Sequence, residues 1–305
     1  MMTVLLLSCV APTNPPDSGA EPSHLPDSAD SGLPTDSGDA PTPIAVSGVV
    51  AGYQFACALG IGGEVVCWGR GTAGQTSPPA ERFSAITAGT SFACGLRGDG
   101  GLACWGDTSV LEIDDPPSSI IAIEAGHEHV CALLEDGEIS CWGDNTYGQS
   151  SVAGKGFIGL SAGGVVTCAW GVTGLATCWG WEEWGNTSPP TEALATVSTG
   201  LAHSCGLTMD AGEVLCWGQD LYGEASPRLD GESFTAISCG GAQSCALSAG
   251  GTIDCWGDEL DPPGYSGVTA ISVGSDFACG VRANQKVDCW GGNESGQSEP
   301  PEHVR

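Results

Sequence analysis

Short runs of the form apolar-x-x-apolar-x-x-Gly recur along the chain from Val46 onward, with small residues between the apolar ones. Phe83, Ile86 and Gly89 form one such run, and Phe234, Ile237 and Gly240 another. Runs of about six residues with this pattern predict short strands. The glycines that close them are Gly52, Gly89, Gly126, Gly163, Gly200, Gly240 and Gly274. Five residues after each stands a cysteine: Cys57, Cys94, Cys131, Cys168, Cys205, Cys245 and Cys279. A second cysteine then follows, joined directly to tryptophan, at Cys67-Trp68, Cys104-Trp105, Cys141-Trp142, Cys178-Trp179, Cys216-Trp217, Cys255-Trp256 and Cys289-Trp290. The period is 34 to 39 residues, most often 37, which predicts a solenoid or a propeller. From Val46 to Arg305 there is room for seven units and no remainder.

The two cysteines of a unit fit a β-hairpin. With Cys131 opposite Cys141, Glu135-Asp136-Gly137 becomes a three-residue loop, whose last position favours glycine because the backbone there is left-handed. That position holds Gly63, Gly100, Gly137, Gly174 and Gly251; Gly212 ends the loop of the one unit that is a residue longer between its cysteines, and only Gln285 departs. Counting outward from the closing pair Leu134 and Glu138, the cysteines form a non-hydrogen-bonded pair with Cα atoms roughly 4.5 Å apart, within disulfide reach. Seven cross-strand disulfides are expected, and they require an oxidising compartment. Zinc binding by these cysteines is excluded, because the spacing is not that of a zinc knuckle and no histidine set completes four ligands.

Each repeated tryptophan points to the face opposite its cysteine. Across the hairpin stand Ala56, Ala93, Val130, Thr167, Ser204, Ser244 and Ala278, small enough to admit an indole, so the seven tryptophans are expected in the core. Trp170 is expected there too, in a position otherwise held by Leu59, Leu96, Leu133, Leu207, Leu247 and Val281. Cys239 replaces a small residue and is expected to pack as a buried hydrophobe.

The segments Cys141-Trp142-Gly143-Asp144-Asn145-Thr146-Tyr147-Gly148-Gln149 and Cys289-Trp290-Gly291-Gly292-Asn293-Glu294-Ser295-Gly296-Gln297 resemble the regulator of chromosome condensation repeat in its short, cysteine-bearing bacterial form. The resemblance spans about Val46 to Arg305 and implies an all-β fold, a seven-bladed β-propeller. It implies less about function. The founding member is a nuclear exchange factor for a small GTPase, and no partner-binding residue carries over to this chain. Fold alone licenses no activity.

Charge narrows the choice of partner. The net charge is -29, with 8 basic against 37 acidic residues, which argues against nucleic acid, since phosphate recognition rests on Lys and Arg. Residues 1–9 end in Leu6-Leu7-Ser8-Cys9, which resembles a bacterial lipoprotein box with Cys9 as the lipidated residue. The apolar run before it is short, and no basic residue precedes it. Residues 10–45, with Pro15-Pro16-Asp17-Ser18-Gly19 and Thr35-Asp36-Ser37-Gly38, have too little apolar content to fold and are expected to be a disordered acidic stalk. The propeller is then residues 46–305, exported and anchored at the bacterial cell envelope by the N-terminal lipid alone, with no apolar run of about eighteen residues to span a membrane.

Little is left for catalysis. His129 and His203 occupy a position held elsewhere by Phe55, Phe92, Val166, Gln243 and Phe277, and are expected to be partly buried scaffold residues. His127 stands two residues from His129, with no third ligand in sight. Serine nucleophile elbows, phosphate loops and calcium loops do not occur in recognisable spacing. Arg97-Gly98-Asp99 coincides with a hairpin tip, and the sequons at Asn186 and Asn293 are read as chance.

The loop Gly180-Trp181-Glu182-Glu183-Trp184-Gly185-Asn186 is not explained by the repeat at this level. Trp181 and Trp184 are the tryptophans outside repeated positions besides Trp170, and Glu182 and Glu183 lie between them. Related loops contribute Tyr147 and Tyr222. Exposed aromatic rings beside polar groups are typical anchors for protein partners, and flat rings also stack on sugars. The chain is therefore expected to be a non-catalytic, monomeric surface module without cofactor or metal, binding a surface protein or glycan through loops on one face. The alternatives are a protein inhibitor or adhesion factor, a carbohydrate-active enzyme, or capping of the adjacent blade by these two rings.

Overall fold

A computed structural model describes residues 43–152, 154–227, 229, 232–258 and 260–305. Cys9 and nearly all of the stalk lie outside these residues. Seven antiparallel three-stranded sheets follow one another along the chain, each built from one sequence repeat. Blade 1 comprises β1 (Val46–Ala51), β2 (Phe55–Gly60) and β3 (Val65–Gly69); blade 2 comprises β4 (Ala85–Ala88), β5 (Phe92–Leu96) and β6 (Leu102–Gly106). Blade 3 holds β7 (Ile120–Ala125), β8 (His129–Leu134) and β9 (Ile139–Gly143), and blade 4 holds β10 (Phe157–Gly163), β11 (Val166–Gly171) and β12 (Ala176–Gly180). Blades 5 to 7 are β13 (Leu194–Thr199), β14 (His203–Thr208) and β15 (Val214–Gly218); β16 (Phe234–Cys239), β17 (Gln243–Ser248) and β18 (Ile253–Gly257); and β19 (Val268–Val273), β20 (Phe277–Arg282) and β21 (Val287–Gly291).

The expected hairpin register is observed. Cys131 pairs with Cys141 and Val130 with Trp142, and the same pairing recurs in every blade. All seven disulfides are formed, with Cα separations of 4.0 to 4.1 Å, slightly closer than the antiparallel pairing alone suggests. The last loop residue is left-handed throughout, and Gln285 adopts it as well at φ 66°. Five of the seven repeated tryptophans are buried, as is Trp170. Trp142 and Trp256 are only half-buried, which corrects the expectation of seven core indoles.

Contacts between blades explain why particular residue types recur. Gly52, Gly89, Gly126, Gly163, Gly200, Gly240 and Gly274 form a ring around the axis. A Cβ on any of them would lie 2.0 to 3.0 Å from a carbonyl oxygen of Gly52, Gly89, Gly126, Gly164, Gly200, Gly240 or Gly274 in the next blade. Just below this ring, hydroxyls of one blade accept hydrogen bonds from the backbone of the next. Ala125 N–H donates to Thr87, Thr199 to Ser161, Cys239 to Ser198 and Val273 to Ser238. Ala51 N–H donates to Ser272 Oγ at 2.9 Å, so the same latch closes blade 7 on blade 1. Val50 and Glu124 interrupt the series of hydroxyls.

A third set of contacts joins neighbouring middle strands. Phe55 packs in one cluster with Ala93, Phe92 with Val130, and Phe277 with Ala56. Where the aromatic is replaced by histidine, the facing residue is a hydroxyl: His129 Nε2 lies 2.8 Å from Thr167 Oγ1, and His203 Nε2 lies 2.7 Å from Ser244 Oγ. The two remaining junctions mix the types, Val166 with Ser204 and Gln243 with Ala278, and there Ser204 Oγ and Gln243 Oε1 have no partner.

Both chain ends of the described region meet at the closure. Ile44 N–H donates to His303 O and Val287 N–H to Val304 O, each at 2.8 Å, and Val304 is buried in the core shared by blades 1 and 7. Among the described residues no strand is exchanged between the ends, and each blade is contiguous in sequence.

Candidate binding site on the loop face

The inner strand of each blade runs toward the glycine ring, the middle strand runs away, and the outer strand returns. The loops after the outer strands therefore lie on the same face as the glycine turns. Five of these loops share Gly-x-x-x-x-Gly followed by Gln75, Gln149, Asn186, Glu224 or Gln297, all of them buried. The carbonyl of that residue accepts the indole N–H of the next blade: Trp105 on Gln75, Trp179 on Gln149, Trp217 on Asn186, Trp256 on Glu224, and Trp68 on Gln297 across the closure. Blades 2 and 6 carry loops without this motif, and Trp290 Nε1 is accordingly a buried donor without a partner.

The loop after blade 4 is thus a regular member of the repeat, which corrects its reading as unexplained. Asn186 performs the backbone task of Gln149. Its side chain differs in consequence. Gln75, Gln149 and Gln297 each reach back to accept the N–H two residues earlier, at 2.8 to 2.9 Å, and Glu224 does the same at 2.7 Å. Asn186 is one methylene shorter, and both of its polar side-chain atoms are buried without a partner. The residue that lacks this bond is Trp184, and it adopts φ 65°, ψ 16° inside a short 3-10 turn, Glu183–Gly185. A large side chain in the left-handed region is strained, at a cost of about 1–3 kcal/mol.

This conformation brings three of the four predicted aromatics together. Trp184 meets Trp181 edge-on with centroids 5.0 Å apart, and Trp181 lies 6.1 Å from Tyr147 of the neighbouring loop. Trp184 is 48 % and Tyr147 52 % exposed, while Trp181 is half-buried beneath them. Glu182 and Glu183 are exposed beside the cluster. Asp144 in the Tyr147 loop is held below the usual carboxylate range, chiefly by the Thr146 hydroxyl, so it stays anionic. Tyr222 is 59 % exposed beside the exposed Leu221, on the blade 5 loop, and makes no ring contact with the other three among the described residues.

The other candidates resolve into scaffold. His129 and His203 are fully rather than partly buried, and loss of water pushes both imidazoles down to about 4. His127 instead turns to the mouth of the central channel, and its value is lowered by burial against the opposing pull of Glu128. The two histidines therefore share no ligand. His203, Cys205 and Cys239 place ligand atoms within 4.8 Å of one another, but Cys205 is spent in a disulfide. Burial pushes the Cys239 thiol up to about 11, so it is not a thiolate at neutral pH. Arg97 donates to Glu81 and to Leu102 O, and Asp99 accepts Gly101 N–H, so the tripeptide at that tip is engaged by its own hairpin and by the preceding inter-blade segment.

The sequence profile of the regulator of chromosome condensation (RCC1) repeat matches residues 46–75, 120–149, 195–224 and 268–297, each running from an inner strand to the loop residue that latches the next blade. The chain carries RCC1 repeats. Among solved structures, this RCC1-repeat propeller is similar to the entire ectodomain of the Physcomitrella patens receptor kinase CR4, at 26 % identity and TM-score 0.70, over 81 % of this chain and 73 % of that one. The CRINKLY WD40 ectodomain of the Arabidopsis thaliana receptor kinase ACR4 is similar at 26 % identity and TM-score 0.68, covering 81 % of this chain and 97 % of that chain. Prp20p of Saccharomyces cerevisiae, characterised for binding Gsp1p and histones, shares the fold at 16 % identity and TM-score 0.63, over 85 % of each chain. No curated protein sequence matches the chain.

Proposed function

We propose that this RCC1-repeat propeller is a non-catalytic binding module for a protein partner at the outside of a bacterial cell. The observation that carries this reading is the cluster of Tyr147, Trp181 and Trp184, held partly exposed at the expense of a strained Trp184 backbone. Backbone strain that persists beside exposed aromatics is expected where a surface is shaped for use. Glu182, Glu183 and the anionic Asp144 border the rings, so the partner presents an apolar anchor flanked by Lys or Arg. A net charge of -29 speeds encounter with such a surface and repels nucleic acid. Seven disulfides support maturation outside the cytoplasm, and lipidation at Cys9 would tether the propeller through the acidic stalk.

The test is capture from envelope-protein extracts and on a glycan array by the full disulfide-bonded chain, beside Trp181→Ala/Trp184→Ala. Capture of one basic-rimmed protein that the double variant loses, with near-UV circular dichroism of the disulfides retained, supports the reading. Capture of the same protein by both chains refutes the aromatic site, and selective glycan binding replaces the protein partner with a sugar.

A further inference from the structure

The axis of the propeller is open inside. A cavity of about 190 Å³ lies under the glycine ring, and one of about 470 Å³ extends from it toward the opposite face. Val50, Glu124, Ser161, Ser198, Ser238 and Ser272 border both, so they form the neck between the two. Glu124 is the one acid lining either cavity, and no Lys or Arg lines them among the described residues. Around the neck each of the four serine hydroxyls already accepts one backbone N–H from the next blade; Ser198 also meets the Cys239 thiol, and Ser161, Ser238 and Ser272 keep a lone pair and a proton for a ligand. The larger cavity is lined by aliphatic residues such as Ile86, Leu160 and Ile237, interspersed with hydroxyl-bearing ones such as Thr196, Thr235 and Thr269.

We propose that this channel is a binding site for a small primary alkylamine, with the alkyl stem in the larger cavity and the ammonium on Glu124 and the Ser161 hydroxyl of the adjacent blade. The half-buried Glu124 carboxyl has no Lys or Arg beside it among the described residues, so its ionised form is disfavoured there, and an ammonium supplies both the compensating charge and three donors. The larger cavity offers the stem room and aliphatic contacts. Glu124 lies four residues along β7 from Ile120, so a ligand entering from that face travels about 13 Å to reach it. From that face the depth favours a free amine over a lysine side chain presented by a folded partner.

Burial alone pushes the Glu124 carboxyl up to about 8, with no hydrogen bond or charge opposing it. The groups facing it are not ionised over the same range. Thr87 on β4 and Ser161 on β10 are neutral, Cys131 on β8 is in a disulfide, and Cys239 titrates near 11. His127 at the narrow mouth is driven toward its neutral form by burial. The ammonium pairs with the ionised carboxylate, so affinity rises with pH as that form is populated, by about tenfold from pH 7 to pH 9. An alkylamine is still protonated over this range.

The experiment is calorimetric titration of the full disulfide-bonded chain with n-butylammonium chloride at pH 7 and pH 9, beside n-butanol, potassium chloride and the Glu124→Gln chain. Expected are binding that is about tenfold tighter at pH 9, loss of binding in Glu124→Gln, and no response to butanol or potassium. A carbon-13 titration of the glutamate carboxyls in the unaltered chain tests the same point without a variant, since bound n-butylammonium must lower the Glu124 value. Absence of binding at pH 9, an equal response to potassium or butanol, undiminished binding by Glu124→Gln, or an unmoved carboxyl titration would each overturn the proposal. None of these outcomes touches the aromatic cluster, which lies on the outer loops.

Discussion

Acid lability should be traceable to the histidine junctions, and replacing His129 tests this directly. Thr167 Oγ1 donates to Gln149 O at 3.0 Å, so it receives its other hydrogen bond from His129, which places the proton on Nε2 and leaves Nδ1 buried without a partner. Burial lowers this imidazole from 6.5 to about 4. Between those values the unfolded chain binds a proton that the folded chain refuses. Stability is therefore fully present above pH 6.5 and is lost as pH falls toward 4. At ~1.4 kcal/mol per pKa unit, about 2.5 kcal/mol disappears between pH 7.5 and 4.5 from this one residue. His129→Phe/Thr167→Ala reproduces the pairs Phe55 with Ala93 and Phe277 with Ala56, already accommodated in the same ring. The Gln149 carbonyl keeps its bond from Trp179 Nε1 at 2.9 Å. Chemical unfolding of both chains at the two pH values, with disulfides intact, should show the variant losing about 2.5 kcal/mol less than the unaltered chain. His203 and the carboxylates titrate in both and cancel in the comparison. A pH-dependent loss that differs by less than about 0.5 kcal/mol between the chains would refute the reasoning.

Two further substitutions separate the strained loop from the closed ring. Asn186→Gln restores the side-chain length found in Gln149, so it should bond Trp184 N–H, release the left-handed backbone and raise stability by about 1 kcal/mol in thermal unfolding, while weakening partner capture. Gly240→Ala drives a Cβ to 2.0 Å from Gly274 O and should cost roughly 1–3 kcal/mol or more by forcing two blades apart. Gly148→Ala meets nothing within 4 Å and should cost only the strain of its φ of 84°, about 1 kcal/mol, so equal losses in the two chains would count against the ring contact.

The local content of each unit was legible in the chain itself. Strand length, the three-residue hairpin loops and the cysteine pairing depend on residues at most eleven apart, and alternation converts spacing directly into register. Seven copies made that reading robust, including the buried place of Cys239. Tertiary structure decided everything that depends on a neighbour about 37 residues away. The glycines are needed because the next blade's carbonyl stands where a Cβ would be, and the buried Gln75, Gln149 and Gln297 because a foreign indole needs an acceptor. The loop at 180–186 looked exceptional by its two tryptophans, yet Asn186 follows the repeat, and only the missing methylene makes Trp184 unusual. Glu124 escaped notice for the same reason: it stands in line with Val50, Thr87, Ser161, Ser198, Ser238 and Ser272, but that column faces a common channel only once the ring has closed. A repeat thus encodes its own hairpin through short-range sterics and hydrogen bonding, whereas the channel, the latches and the aromatic cluster exist only where separate repeats are brought side by side.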